Sequence, residues 1–425
     1  MLADHLNQRL AELLPKDAPF AIAFSGGGDS TALVHALKDH PRAERVFIVD
    51  HALREGSDVE AESAARFAKN CGYQAEILKW QHNSPETAIQ EKARCARYAL
   101  MGEACRKLGI QYLLTAHSED DQAETLLMRY DRKTDWRGAA GMAELSYGPV
   151  WPQLAMVTLV RPLLGISRQE LRDYNRTQDL TWIEDPSNES RDYARIRARD
   201  YLSARPGLRG ALLSTGHLMR GYMQDEGALL RKQFAQIGQI DSHGIITLSG
   251  LPYPELLFHC LRAGGGQGGV IDRAKIKKLL TQMRTPAFKS ATLGGALAAR
   301  HKDGFVICRD PVAVKGREDS HHSRKALRRK LGLRLKTYPQ IWDGRFSVTG
   351  PKDRSYMGSV HQDAARLKPE QRKALKAIPA AARPSLPVSK HENDIRIVGH
   401  QESGARTIIS LVQMRLEAAL GGKLA

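Results

Sequence analysis

Three consecutive glycines lie between a short apolar segment and a helical pattern, and they carry the strongest chemical signal in this sequence. The segment reads Ser25, Gly26, Gly27, Gly28, Asp29 and Ser30, and residues 21–24 before it are typical of a buried strand. Glycine lets the backbone turn sharply and brings its amides against an anion. The helix that follows adds unpaired N–H groups and the positive end of its dipole. The pattern therefore predicts a phosphate-binding loop, with the two serines as further donors.

Asp29 is the unusual residue of this loop, because a carboxylate beside a phosphate is repulsive unless a cation lies between them. We therefore expect Mg²⁺ to bridge Asp29 and a bound pyrophosphate. The simpler alternative is a plain glycine turn in which Asp29 caps the helix.

A second group of chemically capable side chains occupies residues 115–125. Asp121 and Glu124 are three residues apart in a predicted helix, so they face the same way, and His117 precedes them. Paired carboxylates beside a histidine suit a Mg²⁺ site, or a base that receives a proton from an attacking amine. The alternative is a pair of helix-capping acids near a hydrogen-bonded histidine.

The elements that must position these residues alternate between strand and helix over the first two hundred residues. Strands are predicted at 21–24, 46–49, 76–80 and 112–115, and helices at 30–37, 59–70, 86–108 and 120–130. This alternation predicts an α/β fold, with a parallel sheet and helices on both faces. Ligands of such sheets bind beyond the carboxyl ends of the strands, where both groups of residues fall.

A different pattern follows residue 200. Residues 207–236 are predicted to be helical, 245–248 to form a strand, 254–262 and 273–283 to form helices, and 291–309 to form a hairpin. A closing helix is predicted at 407–420. We therefore expect a helical linker and a smaller α+β C-terminal domain, with domain boundaries at 1–205, 206–310 and 311–425.

Charge and composition limit the classes of function. Lys plus Arg total 64 against 47 for Asp plus Glu, a formal net charge of +17, which is the electrostatic footprint of a protein that binds a polyanion. The basic run at 315–336 is either a solvated face or a contact for RNA phosphates. The apolar runs are too short for a bilayer span, the first twenty residues form an amphipathic helix, and the five cysteines are dispersed. We expect a cytoplasmic protein that has no contact with a membrane.

The glycine loop resembles that of the N-type ATP pyrophosphatases, or PP-loop proteins, which cleave ATP to AMP and pyrophosphate. Other segments resemble the tRNA(Ile)-lysidine synthetases among them, and this similarity covers nearly all of residues 20–200. These segments are residues 50–54 with Asp50 and His51, 93–98 with Arg94 and Arg97, 115–125, 161–164, 182–188, and 193–199 with Arg195 and Arg199.

The resemblance implies a PP-loop, Rossmann-like catalytic domain in residues 1–205 and a domain that contacts tRNA in residues 206–310. It also implies ligation of L-lysine to the wobble cytidine of the isoleucine tRNA with anticodon CAU. In that reaction the C2 oxygen of the base attacks the α-phosphate of ATP, and the ε-amine of lysine then displaces AMP.

The implied site residues fall into four sets. The catalytic set is Asp29, His117, Asp121, Glu124 and Arg195; the ATP-binding set is residues 25–30; the set for RNA or substrate is Asp50, His51, Arg94, Arg97 and Arg199; and the Mg²⁺ ligands are Asp29 and Asp121.

One loop departs from the family pattern, since Lys133 and Asp135 stand where two glycines are expected. We therefore expect this loop to follow another path. The nearest alternative function is a PP-loop tRNA 2-thiocytidine synthetase, but that family uses cysteine pairs that are absent here and usually has a lysine at the position of Gly28. NAD- or GMP-synthetase-type enzymes and a non-catalytic RNA-binding protein are further alternatives. No oligomeric state is predicted.

Overall fold

The computed structural model describes residues 2–424 except 83–87, 133, 185–193, 267–270, 316–332, 352–354, 392–393 and 400–405. The chain divides into two compact units, Met1–Gln224 and Asp225–Ala425. The three-domain division expected from the sequence stays a prediction. Within the described residues, no helix has the length and apolar character needed to span a bilayer.

The first unit is built on a six-stranded sheet, as the alternating pattern predicted. Its strands are β1 (Phe20–Phe24), β2 (Ala43–Asp50), β3 (Gln74–Lys79), β4 (Tyr112–Leu114), β5 (Leu145–Tyr147) and β6 (Thr158–Val160). They lie in the order β3-β2-β1-β4-β6-β5. Every pairing is parallel except that of β5 with β6. The carboxyl ends of β1, β2, β3, β4 and β6 therefore meet at one edge.

Helices cover both faces of this sheet. They are α1 (Leu2–Leu13), α2 (Gly28–Ala36), α3 (Ser57–Asn70), α4 (Ile89–Leu108), α5 (Glu119–Asp131), α6 (Arg168–Thr177), α7 (Ala194–Ser203) and α8 (Pro206–Ile237). Alternate residues of β1 enter two different cores. Phe20 and Ile22 pack with buried residues of α1, α2 and α3, whereas Ala21 packs with buried residues of α4. This alternation is what a pleated strand between two layers of helices requires.

The second unit begins within α8 and contains antiparallel sheets. A five-stranded sheet has the order β7-β8-β11-β10-β9 and comprises β7 (Gly238–Ile240), β8 (Ile246–Leu248), β9 (Ser290–Leu293), β10 (Ala296–His301) and β11 (Gly304–Arg309). Helices α9 (Pro254–Gly264) and α10 (Arg273–Met283) pack against it. The predicted hairpin at 291–309 is therefore wrong in one respect, because the segment forms three strands, with an extra reversal at Gly294 and Gly295, both at positive φ.

Two smaller sheets complete the second unit. One has the order β12-β15-β16-β17 and the other β13-β14-β18. The strands are β12 (Leu333–Arg334), β13 (Gln340–Trp342), β14 (Phe346–Thr349), β15 (Ser355–Ser359), β16 (Pro387–His391), β17 (Asp394–Ile397) and β18 (Thr407–Ser410), and the helices are α11 (Pro311–Lys315), α12 (Val360–Asp363), α13 (Pro369–Ala374) and α14 (Val412–Leu420). The predicted closing helix begins five residues too early, because the β-branched residues of β18 pair with β14.

Candidate active site

The glycine loop leaves β1 and turns at Gly26, which has a φ of +80°. A Cβ atom at this position would lie 2.7 Å from Cδ1 of Ile183. Gly27, in contrast, has a φ of −76° and open space around it, with Ser25 Oγ at 3.6 Å from a Cβ atom. The backbone therefore requires glycine at position 26, whereas position 27 needs it only if something approaches from outside.

Two hydrogen bonds hold the loop from behind. The backbone N–H of Ile183 donates to the Gly26 carbonyl at 2.9 Å, and Nδ2 of Asn175 donates to the Gly28 carbonyl at 2.9 Å. Asn175 is fully buried at the end of α6. Because the C=O and N–H of a trans peptide point in opposite directions, these bonds turn the N–H groups of Gly27 and Asp29 away from Asn175 and Ile183.

The start of α2 has no side-chain cap. Its N-cap residue is Gly27, and Asp29 lies one residue inside the first turn. Asp29 is therefore not the helix cap that the simpler alternative required. The hydroxyls of Ser25 and Ser30 lie 3.1 Å apart, and Ser30 Oγ donates to the Gly27 carbonyl at 2.9 Å. A helix start with this arrangement presents free N–H groups and the positive end of the dipole.

The carboxylates of Asp29, Asp121 and Glu124 surround a single guanidinium, that of Arg168. Its Nε lies 3.5 Å from Asp29 Oδ2, its Nη2 lies 3.2 Å from Asp121 Oδ1, and its Nη1 lies 3.3 Å from Glu124 Oε1. Its backbone N–H also donates to Asp120 Oδ2 at 2.7 Å. Arg168 is the first residue of α6, so it joins the starts of α2, α5 and α6.

Glu124 is buried and binds two more arginines. Arg199 Nε donates to its Oε1 at 2.9 Å, and Arg195 Nε lies 3.1 Å from its Oε2. The i,i+4 spacing of these arginines places both on the face of α7 that meets α5. The predicted residues Glu124, Arg195 and Arg199 are thus brought together by direct contact.

Asp121 has two different partners on its two oxygens. Its Oδ2 accepts from the N–H and the Oγ of Ser118 at 3.0 and 3.2 Å, which makes a capping box at the start of α5. Its Oδ1 faces Arg168. The capping role weighed as an alternative is therefore present, and it leaves one oxygen directed into the site.

The pKa values of Asp29 and Asp121 are shifted in opposite directions. Burial, reinforced by the charge of Asp121, raises the pKa of Asp29 to about 6 even though Arg168 opposes the shift. Burial also works against ionisation of Asp121, but Arg195 and Arg168 keep the pKa of its carboxyl below the usual value. Such a buried carboxylate beside a second one and a helix N-terminus fits a divalent cation that arrives with phosphate, because Mg²⁺ takes one or two protein carboxylates and completes its shell with phosphates and water. No cluster of three or more metal-type ligands occurs among the residues the structure describes.

His117 lies beside this cluster and is partly buried. Its Nδ1 is 2.9 Å from Thr115 Oγ1. Burial, together with the charges of Arg161, Arg195 and Arg94, holds the pKa of His117 well below its usual value, although Asp121 opposes the shift. The imidazole is therefore neutral near pH 7. Arg94 is close enough to His117 for its charge to contribute to this lowered pKa.

A second cluster lies at the carboxyl ends of β2 and β3. Arg97 donates to Nε2 of His51 from Nε at 3.3 Å and from Nη2 at 3.1 Å. The rings of Trp80 and His82 are in contact, with centroids 4.1 Å apart and planes tilted by 44°, and His82 Nε2 lies 3.0 Å from the His51 carbonyl. Burial and the charge of Arg97 lower the pKa of His51 to about 4.

Asp50 precedes His51 and is almost fully buried. Its Oδ1 accepts from the Ala52 N–H at 2.8 Å and from Ser57 Oγ at 2.9 Å. These bonds order the turn between β2 and α3. The role of Asp50 toward RNA or substrate stays a prediction.

The loop that departs from the family pattern is described from Thr134 onward, and the expectation of another path stays a prediction. Asp135 does not adopt a positive φ, and its Oδ1 accepts from the Gly138 N–H at 3.3 Å. Gly141 has a φ of +69°, and a Cβ atom there would lie 2.7 Å from Gln122 Oε1. Gln122 also binds the N–H and carbonyl of Met142 at 2.7 and 2.8 Å. Gly141 therefore allows the loop backbone to pack closely against Gln122 of α5.

Two positioning residues, Arg168 and Asn175, were not predicted. Neither belongs to a glycine turn or a paired-carboxylate pattern. A capping box between Ser167 and Glu170 marks the start of α6 and places Arg168 at its first position, but no sequence signal says which carboxylates it meets. Several predicted features lie outside the described residues, namely Lys133, residues 185–188, Tyr193, the start of the helix predicted from Glu86, and most of the basic run at 315–336.

Fold and site together define a nucleotide-binding α/β domain, and the family model described as a PP-loop domain matches residues 2–205. A relative from Ruegeria pomeroyi, a tRNA(Ile)-lysidine synthase, is 33% identical over 366 residues, 82% of this chain and 80% of the relative. The enzyme of the same name from Caulobacter vibrioides is 30% identical over 95% of this chain and 93% of the relative. A third, from Hyphomonas neptunium, is 34% identical over 66% of this chain and 78% of the relative. The chain belongs to the tRNA(Ile)-lysidine synthase family.

The loop geometry predicts opposite outcomes for two neighbouring glycines. Gly26→Ala places a side chain at positive φ and against Ile183, so we expect it to lower the free energy of unfolding by about 2 kcal/mol. Gly27→Ala has an ordinary φ and only a van der Waals contact with Ser25 Oγ, so it should cost less than about 1 kcal/mol, the loss expected for alanine at an N-cap. Denaturant unfolding of both variants measures the difference, and equal stabilities would contradict the geometry.

The contacts of Glu124 with three arginines predict that its carboxylate stabilises the folded protein. Glu124→Gln leaves three guanidiniums without their buried partner, so we expect a loss of about 3 kcal/mol in the free energy of unfolding. Glu119→Gln on the same helix is the matched control, because it removes only a partly exposed pair with Arg209 and should cost less than about 1 kcal/mol. If Glu124→Gln proved as stable as this control, the anchoring role would be wrong.

The lowered pKa of His51 predicts that the free energy of unfolding decreases at acidic pH. Its pKa is about 4 in the folded protein and 6.5 in the unfolded chain, so the unfolded state binds more protons between these values and folding weakens as the pH falls through this window. From pH 7 to pH 5, the free energy of unfolding of wild type should fall by about 1 to 2 kcal/mol more than that of His51→Gln. Denaturant unfolding of both proteins at pH 7 and pH 5 measures these free energies. Parallel pH profiles for wild type and His51→Gln would refute the assignment.

Proposed function

We propose that this chain uses ATP to ligate L-lysine to C2 of the wobble cytidine of the isoleucine tRNA with anticodon CAU, through an adenylated cytidine. Membership of the tRNA(Ile)-lysidine synthase family supports this proposal. The single structural observation that carries it is the uncapped start of α2, which faces the Asp29 and Asp121 carboxylates at the carboxyl edge of the sheet.

The first step is attack of the cytidine C2 oxygen on the α-phosphate of ATP, with pyrophosphate as the leaving group. The amides of the glycine loop and the hydroxyls of Ser25 and Ser30 bind the pyrophosphate. Asp29 and Asp121 would hold Mg²⁺, which neutralises the negative charge that develops on the leaving group. The loop amides and the serine hydroxyls are already in place before the reaction. Little reorganisation is therefore needed when the bond between the α-phosphate and the pyrophosphate breaks.

The second step is attack of the lysine ε-amine on C2, with AMP as the leaving group. The attacking nitrogen must lose a proton, and the acceptors beside the cluster are the carboxylates and the imidazole of His117, whose lowered pKa makes it the weaker base. Arg195 and Arg199 contribute positive charge next to these acceptors, and Glu124 fixes the position of both. We assign the arginines to the nucleotide or the RNA.

The RNA approaches over the same edge of the sheet. Arg94, Arg97 and His51 line this edge at the ends of β2 and α4, and the formal net charge of +17 favours association with the tRNA phosphates. Such contacts supply salt-sensitive affinity but do not read the base. We place the protein in the cytoplasm, with its tRNA substrate.

Thiolation of tRNA is not favoured by the cysteines. They form no pair in sequence, and Cys105, Cys260 and Cys308 are buried. Burial raises the pKa of Cys105 to about 12, which opposes formation of a nucleophilic thiolate.

The proposal predicts the product and the residues that it needs. Incubation of the protein with the isoleucine tRNA, ATP and labelled lysine should add lysine to the wobble cytidine, as measured by mass analysis of the nucleosides. Asp29→Asn and Asp121→Asn should lower AMP release by about a hundredfold or more, because the metal and the pyrophosphate lose their support. Asp131→Asn, at the exposed end of α5, is the control and should retain wild-type turnover.

Two outcomes would count against this assignment. Near-normal turnover of Asp29→Asn would show that the metal is not held there. ATP–pyrophosphate exchange that depends on tRNA but incorporates no lysine would keep the adenylation step and remove lysine as the nucleophile.

A further inference from the structure

Arg168 occupies the position that a metal held by Asp29 and Asp121 would need. Each of its three guanidinium nitrogens lies within 3.5 Å of a different carboxylate, those of Asp29, Asp121 and Glu124. The Arg168 side chain is 16% exposed, so these contacts are only weakly screened by water. The same oxygens of Asp29 and Asp121 therefore have a resident cation before any ligand arrives.

Each of the three carboxylates that contact Arg168 or α7 has a positive partner without a ligand. Three carboxylates face three guanidiniums, those of Arg168, Arg195 and Arg199. A divalent cation that entered alone would add uncompensated positive charge next to these arginines. A complex of that cation with a nucleoside triphosphate carries net negative charge, and the uncapped start of α2 favours its phosphates.

Arg168 is also held by contacts other than those with the two proposed metal ligands. Its backbone N–H is bound to Asp120, and the capping box of Ser167 and Glu170 fixes the start of α6. The contact with Asp29 is the longest of the three, at 3.5 Å. Loss of the contacts with Asp29 and Asp121 Oδ1 would still leave Arg168 bound to Glu124 through Nη1.

We propose that Arg168 is the internal counter-cation of this carboxylate cluster and a positioning residue for its metal, so that a divalent cation binds well only together with ATP. This inference rests on the proposed metal site at Asp29 and Asp121. In the nucleotide-free protein Arg168 competes with the cation for these oxygens. When the nucleotide binds, its phosphates supply the missing negative charge, and Asp29 and Asp121 exchange Arg168 for the metal.

The test uses Mn²⁺ as the probe, because the electron paramagnetic resonance signal of free Mn²⁺ reports binding without turnover. In the absence of nucleotide, Arg168→Gln should bind Mn²⁺ about tenfold more tightly than the wild-type protein, since a positive charge next to the ligands has been removed. A merely structural role for Arg168 would weaken metal binding, so the sign of the change separates the two roles. With a non-hydrolysable ATP analogue present, the two proteins should differ by less than about threefold.

Arg176→Gln is the matched control on the same helix. Arg176 pairs only with Asp173 among the described ion pairs, and its side chain is 62% exposed. This variant should bind Mn²⁺ as the wild-type protein does. The double variant Arg168→Gln with Asp29→Asn should lose the gain, which would place the metal at Asp29.

Arg168→Lys keeps the test decisive if the glutamine variant does not fold. A single ammonium cannot meet three carboxylates at once as a guanidinium does, so this variant should bind Mn²⁺ more tightly than wild type, by about threefold. Circular dichroism establishes which variants are folded. The inference is overturned if the folded variants bind Mn²⁺ no more tightly than wild type while the wild-type complex with the analogue binds it. If the wild-type protein binds no Mn²⁺ even with the analogue, the proposed metal site itself fails.

Discussion

The buried carboxylate of Glu124 is the contact on which the arrangement of this site depends. It lies on α5 and binds Arg168 of α6 and both Arg195 and Arg199 of α7. Removing a carboxylate from water is costly, and guanidiniums that supply several N–H donors offset this cost when their geometry is good. The contact brings three helices together at the carboxyl edge of the sheet. As a result, the carboxylates of Asp29 and Asp121 both contact the guanidinium of Arg168.

The phosphate loop is likewise held by contacts from other segments, in this case by hydrogen bonds to its carbonyl groups. The N–H of Ile183 and the side chain of Asn175 donate to the carbonyls of Gly26 and Gly28, so the N–H groups of the same two peptides point away from these donors. Burial around Asp29 raises its pKa, while neighbouring arginines keep that of Asp121 low. Two chemically identical side chains thus acquire different pKa values from their surroundings.

The positive charge of the chain also has more than one use. Arg309 is almost fully buried in the second unit, where it binds Asp343 with Nε and Nη2 at 2.8 to 3.0 Å and the carbonyls of Gly265 and Gly295. Arg161 similarly donates to the Ala143 carbonyl and to Ser146. These arginines stabilise the interior and do not face RNA. The net charge therefore predicts a polyanionic partner only through the lysines and arginines that remain at the surface.

The sequence by itself determined the α/β class, the position of the glycine loop and the clustering of polar residues at strand ends, because strand period, glycine conformation and helix starts are local properties. Its motifs also identified the family. Tertiary structure alone decided that Arg168 lies among the carboxylates, that Asn175 holds the loop, and that the hairpin predicted at 291–309 is a three-stranded meander. The partners of a long, charged side chain come from distant segments. Arg168 and Asp29 are far apart in the chain and meet only because α2 and α6 pack on the same face of the sheet.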